Sequence, residues 1–466
     1  MNSFPTHGGF DYWNILEGQG EYFQPSFYDN SDTKITQHED SHVIQTVTDL
    51  VLDVLENKVD EEKPWMMMMH HKAPHRNQAA PLDFLGFFED KIFDIPETFF
   101  DSFTTRTPVS AAAENKVKEL YWTNDLKMDM PAGNYTDPGN GGGSYMKFDA
   151  YKSYQTFLER MTDEQRKKWE DFYKPLSDAF YSDGFDQAWT PNESQQIEVY
   201  QRMMRDYMQS IAGVDDSIGQ VLKYLEDTNQ LDNTLLVYTS DQGFFLGEHG
   251  FMDKRFMYEP TIHTPLLMRY PKLIKEGSVQ DKMTINADYG ATFLDLAGIE
   301  IPEEVQGESL IPLMTQDEEA SKDWRKSMYY HYYEYPGWHQ VRRHYGVRTD
   351  RHKLIHFYGQ GTKEFDGHTW EMYDFVNDPH ELVNLYGMPQ YAELQAELTT
   401  ELDRLMKYYK DTEFDPSELP DEKMFPEDTK FDWYKNKITD IMTNMEILPD
   451  VDEYFHQFDI VKDFIN

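Results

Sequence analysis

The chain has 466 residues, of which 39% are hydrophobic and 15% aromatic. This length and apolar content suit a large globular domain with a smaller one, and they exclude a disordered chain. The 85 acidic side chains outnumber the 43 basic ones, and the formal net charge of −42 argues against nucleic acid and anionic membranes as partners. Because the chain has no cysteine, disulfides, thiolate metal sites and cysteine nucleophiles are excluded.

The first elements in chain order are helix-to-strand units. Residues 43–56 place apolar side chains at spacings of three and four, which predicts an amphipathic helix, and the apolar run PWMMMMHH at 64–71 predicts a buried strand. Residues 100–155 are rich in Thr, Gly, Asn and Asp and predict a long surface excursion. A second helix from 192 to 228 precedes a predicted buried strand at 234–238. This alternation predicts an α/β fold with a doubly wound, mainly parallel sheet.

The pattern of predicted elements changes in the second half of the chain. Residues 264–271 predict a strand, and residues 288–298 predict a helix closed by a C-terminal glycine. Beyond about residue 320 the pattern is typical of antiparallel strands followed by a helix over 391–409. We therefore expect three parts: a catalytic domain at 1–320, a smaller α+β subdomain at 321–411, and an acidic extension at 412–466.

The most informative segment is YTSDQGFFLGEHGFMDKRFMYE, residues 238–259. Asp241 and Gln242 follow a predicted parallel strand, at the edge where open α/β sheets place their ligands. Their oxygens suit a hard cation such as Ca²⁺ or Mg²⁺, although an Asp-Gln-Gly tripeptide alone is more often a turn. The same loop contains His249 and the run Asp253 to Arg255.

A second motif, HHKAPHR, occupies residues 70–76. Pro74 keeps Ala73 out of helical geometry, so the loop is extended and can direct Lys72 and His75 to one side. The alternative is that His75 is structural, as a lone histidine more often is.

These two motifs resemble those of type I sulfatases, which belong to the alkaline phosphatase superfamily. The resemblance implies that Asp241 and Gln242 complete a metal site, for calcium rather than magnesium. It also implies that Lys72 and Lys254 contact the sulfate and that His75 protonates the leaving alcohol or contacts the sulfate. Within the family, the segments at 240–259 and 332–358 look closest to bacterial N-acetylglucosamine-6-sulfatases that act on heparan-type glycans.

The subfamily resemblance implies residues for the sugar as well. Asp253 and Arg255 would bind its hydroxyls, and His339 or His344 would reach the same ring. The alternative for the segment WHQVRRH is a charged surface strand, and Trp338 is either a stacking platform for the sugar or part of the core.

The chain also departs from the family pattern. Type I sulfatases carry a formylglycine made from the Cys or Ser of a Cys/Ser-x-Pro/Ala-x-Arg motif, and this sequence contains no such motif. The Gly-Lys-Trp-His-Leu-Gly motif is missing too. We therefore expect an N-terminally incomplete sulfatase that has little activity alone, and a separately encoded N-terminal fragment is a candidate partner.

The sequence leaves two other functions open. A phosphodiesterase or phosphonate hydrolase of the same superfamily uses a similar site, and a catalytically inactive protein would bind sulfated glycans without turnover. A sulfated glycan or a small sulfate ester is the expected ligand. The family resemblance implies a periplasmic or extracellular location, although the first 25 residues contain no signal peptide. No run of residues has the length and apolarity of a membrane span.

Overall fold

The computed structural model describes residues 9–29, 35–60, 62–129, 150–182, 192–335, 339–359 and 367–411. Three sequence-based predictions fall outside these residues: the glycine-rich part of the surface excursion at 139–144, Trp338, and the acidic extension at 412–466.

The secondary structure alternates short strands with helices of very different length. The strands of the described residues are β1 (Asn14–Leu16), β2 (Ser26–Asp29), β3 (Ile35–Gln37), β4 (Leu236–Thr239), β5 (Phe245–Leu246), β6 (Met252–Asp253), β7 (Leu266–Arg269), β8 (Ser327–Tyr332), β9 (His344–Thr349), β10 (His352–Tyr358) and β11 (His368–Asp374). The α-helices are α1 (Val43–Asn57), α2 (Pro108–Ala112), α3 (Ala150–Glu159), α4 (Asp163–Ser182), α5 (Glu193–Asp227), α6 (Glu259–Ile262), α7 (Asp288–Leu296), α8 (Ile311–Met314) and α9 (Ala392–Tyr408).

The chain divides into two compact units. Among the described residues, the first unit comprises 9–94 and 117–227, and the second comprises 95–116 and 228–411. The domain boundaries predicted at 320 and 411 stay a prediction.

The first unit is built mainly from helices. The predicted helices at 43–56 and 192–228 are confirmed as α1 and α5. The two helices pack closely, because a Cβ at Gly213 of α5 would approach the side chain of Ile44 in α1 to 3.2 Å. A buried hydrogen bond of 2.5 Å between the hydroxyls of Thr48 and Ser217 joins the same helices.

The strand predicted at 64–71 is not present. The segment alternates between exposed and partly buried side chains, but no neighbouring strand among the described residues pairs with it, and a strand is defined by such pairing. Met66 and Met68 are about half exposed, so the apolar run is not the buried strand that its composition suggested.

The second unit contains the predicted strands and helices of the C-terminal half. β4 pairs with β7, and this described pairing is antiparallel, so the parallel neighbours expected for β4 are not among the described pairings. The helix predicted at 288–298 is confirmed as α7. It is followed by Gly298 at a φ of +70°, a conformation that glycine adopts at helix ends without strain.

An antiparallel sheet in the order β11-β10-β9-β8 also belongs to this unit, as predicted. Helix α9 covers one face through Leu398, Leu402 and Leu405, which pack with apolar side chains of β9, β10 and β11. The opposite face packs against the aromatic segment around Phe256 and Tyr258. This second face supports the loop that contains Asp253.

A buried ionic group fixes that segment to the sheet. The ammonium of Lys353 is fully buried, 2.6 Å from Glu381 and 3.0 Å from Glu259. Arg348 lies 3.1 Å from the other oxygen of Glu259. Burial alone would raise the pKa of Glu259, but the charges of Lys353 and Arg348 outweigh it and lower the pKa to about 2.

No helix among the described residues combines the length and apolarity needed to cross a bilayer.

We predict that Lys353→Met strongly destabilises the second unit, since it leaves the buried Glu381 without its cation and removes one of the two cations of the partly buried Glu259. Loss of one partner from a buried ion pair costs about 3–5 kcal/mol. The measurement is urea-induced unfolding followed by tryptophan fluorescence. Lys322→Met is the control, because its pair with Glu319 is exposed. Equal unfolding midpoints for the two variants would contradict the prediction.

Candidate functional site

The site of the second unit is built on a short hairpin. Strands β5 and β6 pair so that Phe245 lies opposite Asp253. On the other side, the Met252 amide donates to the carbonyl of Asn115 at 2.8 Å, and the Asn115 side chain donates to the Met252 carbonyl at 3.1 Å. Hydrogen bonds on both sides of β6 therefore fix the position of Asp253.

Three basic side chains converge on the carboxylate of Asp253. The Lys254 ammonium lies 3.1 Å from Oδ1, and the Arg255 guanidinium lies 2.5 Å from Oδ2. The His339 Nε2 is 3.2 Å from Oδ2, although His339 is 86 residues away in sequence (339 − 253). The structure thus brings together four of the predicted site residues, three basic side chains and the buried acid Asp253 that they surround.

Burial and charge oppose each other at Asp253. Burial alone would raise the pKa of this carboxyl, but the hydrogen bond from His339 and the charges of Arg255 and Lys254 outweigh it and hold the pKa well below its usual range. Asp253 is therefore ionised and serves as a fixed acceptor.

The backbone of the cluster is strained. Asp253 has a φ of 72° and Arg255 a φ of 98°, in the left-handed region that side-chain-bearing residues seldom occupy. The Tyr330 hydroxyl donates to the Arg255 carbonyl at 2.8 Å, and Phe256 beyond it is fully buried. Strain that the surrounding structure maintains is concentrated at functional sites.

The two predicted sugar-binding histidines have different surroundings. The loop of His339 is held by the Glu114 amide, which donates to the His339 carbonyl at 2.8 Å. His344 is fully buried in β9, where its Nε2 accepts from the Met257 amide at 3.1 Å and its Nδ1 donates to the Arg342 carbonyl at 2.7 Å. Because both ring nitrogens of His344 are used by the backbone, we assign it a supporting role and not a substrate contact.

Asp241 and Gln242 lie just after β4, as predicted. Asp241 is exposed and Gln242 is partly buried. The turn is fixed because Asn286 donates to the Asp241 carbonyl at 2.7 Å and because Gly243 lies against the backbone of Pro260, where a Cβ would come within 2.2 Å of its carbonyl oxygen.

The oxygens of Asp241 and Gln242 are suitable ligands for a hard cation. A calcium ion, however, takes about six to eight oxygen ligands, and these two residues supply only part of that number. Within the described ranges, no three His, Asp or Glu side chains come together in a group that could hold a metal. The two residues therefore fit a divalent cation only in company with further ligands.

The remaining predicted residues belong to the first unit. The Lys72 ammonium donates to the Gln19 carbonyl at 2.9 Å. His75 donates from Nδ1 to the Arg76 carbonyl at 2.7 Å, which orients its ring. The Arg76 guanidinium is bound at two points to Asp125, which makes it an anchor of this loop.

Sequence reasoning missed the residues that support His249. Its ring is buried, with Asp101 at 3.0 Å and Arg106 at 2.6 Å from Nδ1. Burial is the main reason that the pKa of His249 is lowered to about 4, and Arg106 acts in the same direction. No local pattern connects Asp101 or Arg106 with His249, which lies more than 140 residues away.

Comparisons with known proteins identify the family. The sulfatase family model matches residues 2–299, and the model of the C-terminal region of N-sulphoglucosamine sulphohydrolase matches residues 247–408. The chain belongs to the sulfatase family. Sulfatases are sulfuric ester hydrolases that generally use a formylglycine and a divalent metal, and the alkaline phosphatase-like α/β fold expected from the sequence is confirmed.

Individual relatives support the same family assignment. An N-acetylglucosamine-6-O-sulfatase of Bacteroides thetaiotaomicron is 41% identical over 418 residues, which are 89% of this chain and 69% of the relative. Human N-acetylglucosamine-6-sulfatase is 32% identical over 157 residues, covering 32% of this chain and 28% of the relative. A solved protein in complex with its substrate D-glucosamine-2-N,6-O-disulfate is 39% identical, with a TM-score of 0.77 over 90% of this sulfatase chain and 79% of that one.

The buried position of His344 generates a prediction on pH dependence. Burial lowers the pKa of His344 from 6.5 to about 3. Between these pH values the unfolded chain binds a proton that the folded chain does not, so the contribution of His344 to stability is complete above pH 6.5 and is lost as pH falls. The slope is at most about 1.4 kcal/mol per pH unit.

The test compares the sulfatase chain with its His344→Gln variant in urea unfolding at about pH 7 and about pH 5. We expect the variant to be less stable at neutral pH and the difference in unfolding midpoint to narrow at acidic pH, since the variant lacks this titration. Other buried histidines titrate in both proteins, so their contributions to the difference in unfolding midpoint cancel. A difference that stays constant or widens on acidification would contradict this assignment.

Proposed function

We propose that this sulfatase removes the 6-O-sulfate from N-acetylglucosamine in heparan-type or related glycans, and that the Asp253 cluster recognises the sulfated sugar. The observation that carries the proposal is the convergence of Lys254, Arg255 and His339 on the buried Asp253. The similarity to an N-acetylglucosamine-6-O-sulfatase supports the choice of sugar.

In this proposal one part of the cluster binds the sulfate and the other part binds the hydroxyls of the sugar. The Lys254 ammonium binds sulfate oxygens, exchanging part of its contact with Asp253 for the ligand. Arg255 and His339 donate hydrogen bonds to sugar hydroxyls, and Asp253 accepts one while it orients both side chains. Charge-assisted hydrogen bonds of this kind are stronger than neutral ones.

The proposed roles of the first-unit motif rest on the family resemblance. Lys72 contacts the sulfate, and His75 transfers a proton from Nε2 to the leaving alcohol oxygen, with its ring orientation fixed through Nδ1. Asp241 and Gln242 would supply two oxygen ligands to a calcium ion, which polarises the sulfate ester when bound. Location in the periplasm or outside the cell is likewise proposed from the family.

The sequence has no precursor of formylglycine, so the proposal for this chain is recognition of the substrate and supply of the proton donor. A second polypeptide that carries the Cys/Ser-x-Pro/Ala-x-Arg motif is the proposed source of the nucleophile. The same observation favours a second candidate function, in which the chain binds sulfated glycans without turnover.

We predict that the chain binds N-acetylglucosamine 6-sulfate and that Lys254→Ala weakens this binding at least tenfold, a loss of about 1.4 kcal/mol. Isothermal titration calorimetry in calcium buffer measures the affinity, with Lys275→Ala as the control because Lys275 is an exposed lysine of the same unit. Unsulfated N-acetylglucosamine should bind much more weakly. Equal affinity of both variants would contradict the assignment, and preference for the 6-phosphate would favour the phosphodiesterase alternative.

We also predict that the chain by itself releases no sulfate from this sugar, because it lacks the nucleophile. Sulfate release should appear on mixing with a sulfatase fragment that carries the Cys/Ser-x-Pro/Ala-x-Arg motif, produced with its formylglycine in place. A His75→Gln chain in the same mixture is the control for the proton donor and should restore much less activity. Full activity of the unmixed chain would overturn the assignment of the nucleophile, and persistent inactivity of the mixture would favour the function without turnover.

A further inference from the structure

A second carboxylate, that of Glu334, lies beside the Asp253 cluster. Its Oε2 is 3.8 Å from the Arg255 Nε and accepts a hydrogen bond from the Tyr332 hydroxyl at 3.1 Å. Unlike Asp253, which is 3% exposed at its side chain, Glu334 is 45% exposed. A ligand that approaches Arg255 therefore encounters this second carboxylate at the surface.

The two basic side chains of the cluster are consequently not equivalent. Arg255 has Glu334 at 3.8 Å in addition to Asp253 at 2.5 Å, and it shares the carboxylate of Asp253 with Lys254 and His339. Among the described ion pairs, the partner of Lys254 is Asp253, and no second carboxylate lies beside its ammonium. The charge distribution favours an anion at Lys254 and disfavours one at Arg255.

We propose that Glu334 is a specificity-determining residue, which reserves Arg255 for uncharged parts of the sugar and rejects ligands with a second anionic group at that position. The inference rests on the proposed function, since it assumes that a sulfated sugar occupies the Asp253 cluster. The ligand class that it selects is an amino sugar with an uncharged hydroxyl beside Arg255, and the class that it disfavours is a disulfate whose second sulfate lies at that hydroxyl.

The size of the effect follows from Coulomb's law. Two like charges separated by about 7 Å at a hydrated surface repel by about 1 kcal/mol, which corresponds to a several-fold change in affinity. Because Glu334 is partly exposed, salt screens this repulsion. The discrimination should therefore be largest in dilute buffer.

The experiment uses Glu334→Gln, which removes the charge and keeps the shape of the side chain. The probes are N-acetylglucosamine 6-sulfate, its 3,6-disulfate and its 4,6-disulfate, titrated into the chain by calorimetry at low ionic strength. We expect the variant to bind at least one disulfate about threefold to tenfold more tightly than the original chain does. Its affinity for the monosulfate should change by less than about twofold, and the gain should shrink at high salt.

Two further variants separate charge from other effects. Glu334→Asp keeps the charge and should discriminate like the original chain, whereas a gain for this variant would show that side-chain size decides and would overturn the proposal. Glu303→Gln removes an equal charge from an exposed position of the same unit and should not alter the preference.

The outcomes distinguish this proposal from the function on which it rests. If the monosulfate binds and Glu334→Gln has no higher affinity for either disulfate, Glu334 does not determine specificity, although the proposed function survives. If neither the original chain nor the variant binds any of the three sugars, the proposed function fails, and the proposed role of Glu334 fails with it.

Discussion

The site depends on one ionised carboxylate, that of Asp253, held in a nearly dry environment. An isolated buried charge is unfavourable, and Asp253 is tolerated because Lys254, Arg255 and His339 surround it. The same contacts restrict the rotamers of these three side chains. One acid therefore orients the groups to which we assign recognition of the sulfate and of the sugar.

The antiparallel sheet provides the support for this arrangement. The segment from Asp253 to Glu259 is held at its start by the hairpin and at its end by Lys353 and Arg348 of the sheet. Between these points the side chain of Phe256 is fully buried. A rigid segment of this kind can maintain left-handed residues that would relax in a flexible loop.

The sequence was sufficient where the information is local. Apolar spacing located α1 and α5, and the run Asp253 to Arg255 was recognisable as one cluster because its members are adjacent. The run at 64–71 was misinterpreted because a short apolar segment does not reveal whether another strand pairs with it.

Long-range contacts explain what the sequence could not provide. His339 and His344 are equally plausible as sugar ligands in the sequence, and only tertiary structure places the first beside Asp253 and the second in the core. Likewise, no spacing connects Glu334 with Arg255 or Asp125 with Arg76. Charge balance at the site is therefore a property of the fold and not of the motif.

The central claim, that Asp253 organises the recognition site, is tested most directly by the ligand preference of Asp253→Asn. Titrations with N-acetylglucosamine 6-sulfate and with inorganic sulfate would be compared between this variant, the original chain and Asp232→Asn, which alters an exposed ion pair. We predict that the ratio of sugar-sulfate affinity to inorganic-sulfate affinity falls at least tenfold in Asp253→Asn alone, because the cations stay but lose their orientation. An unchanged ratio would contradict the account.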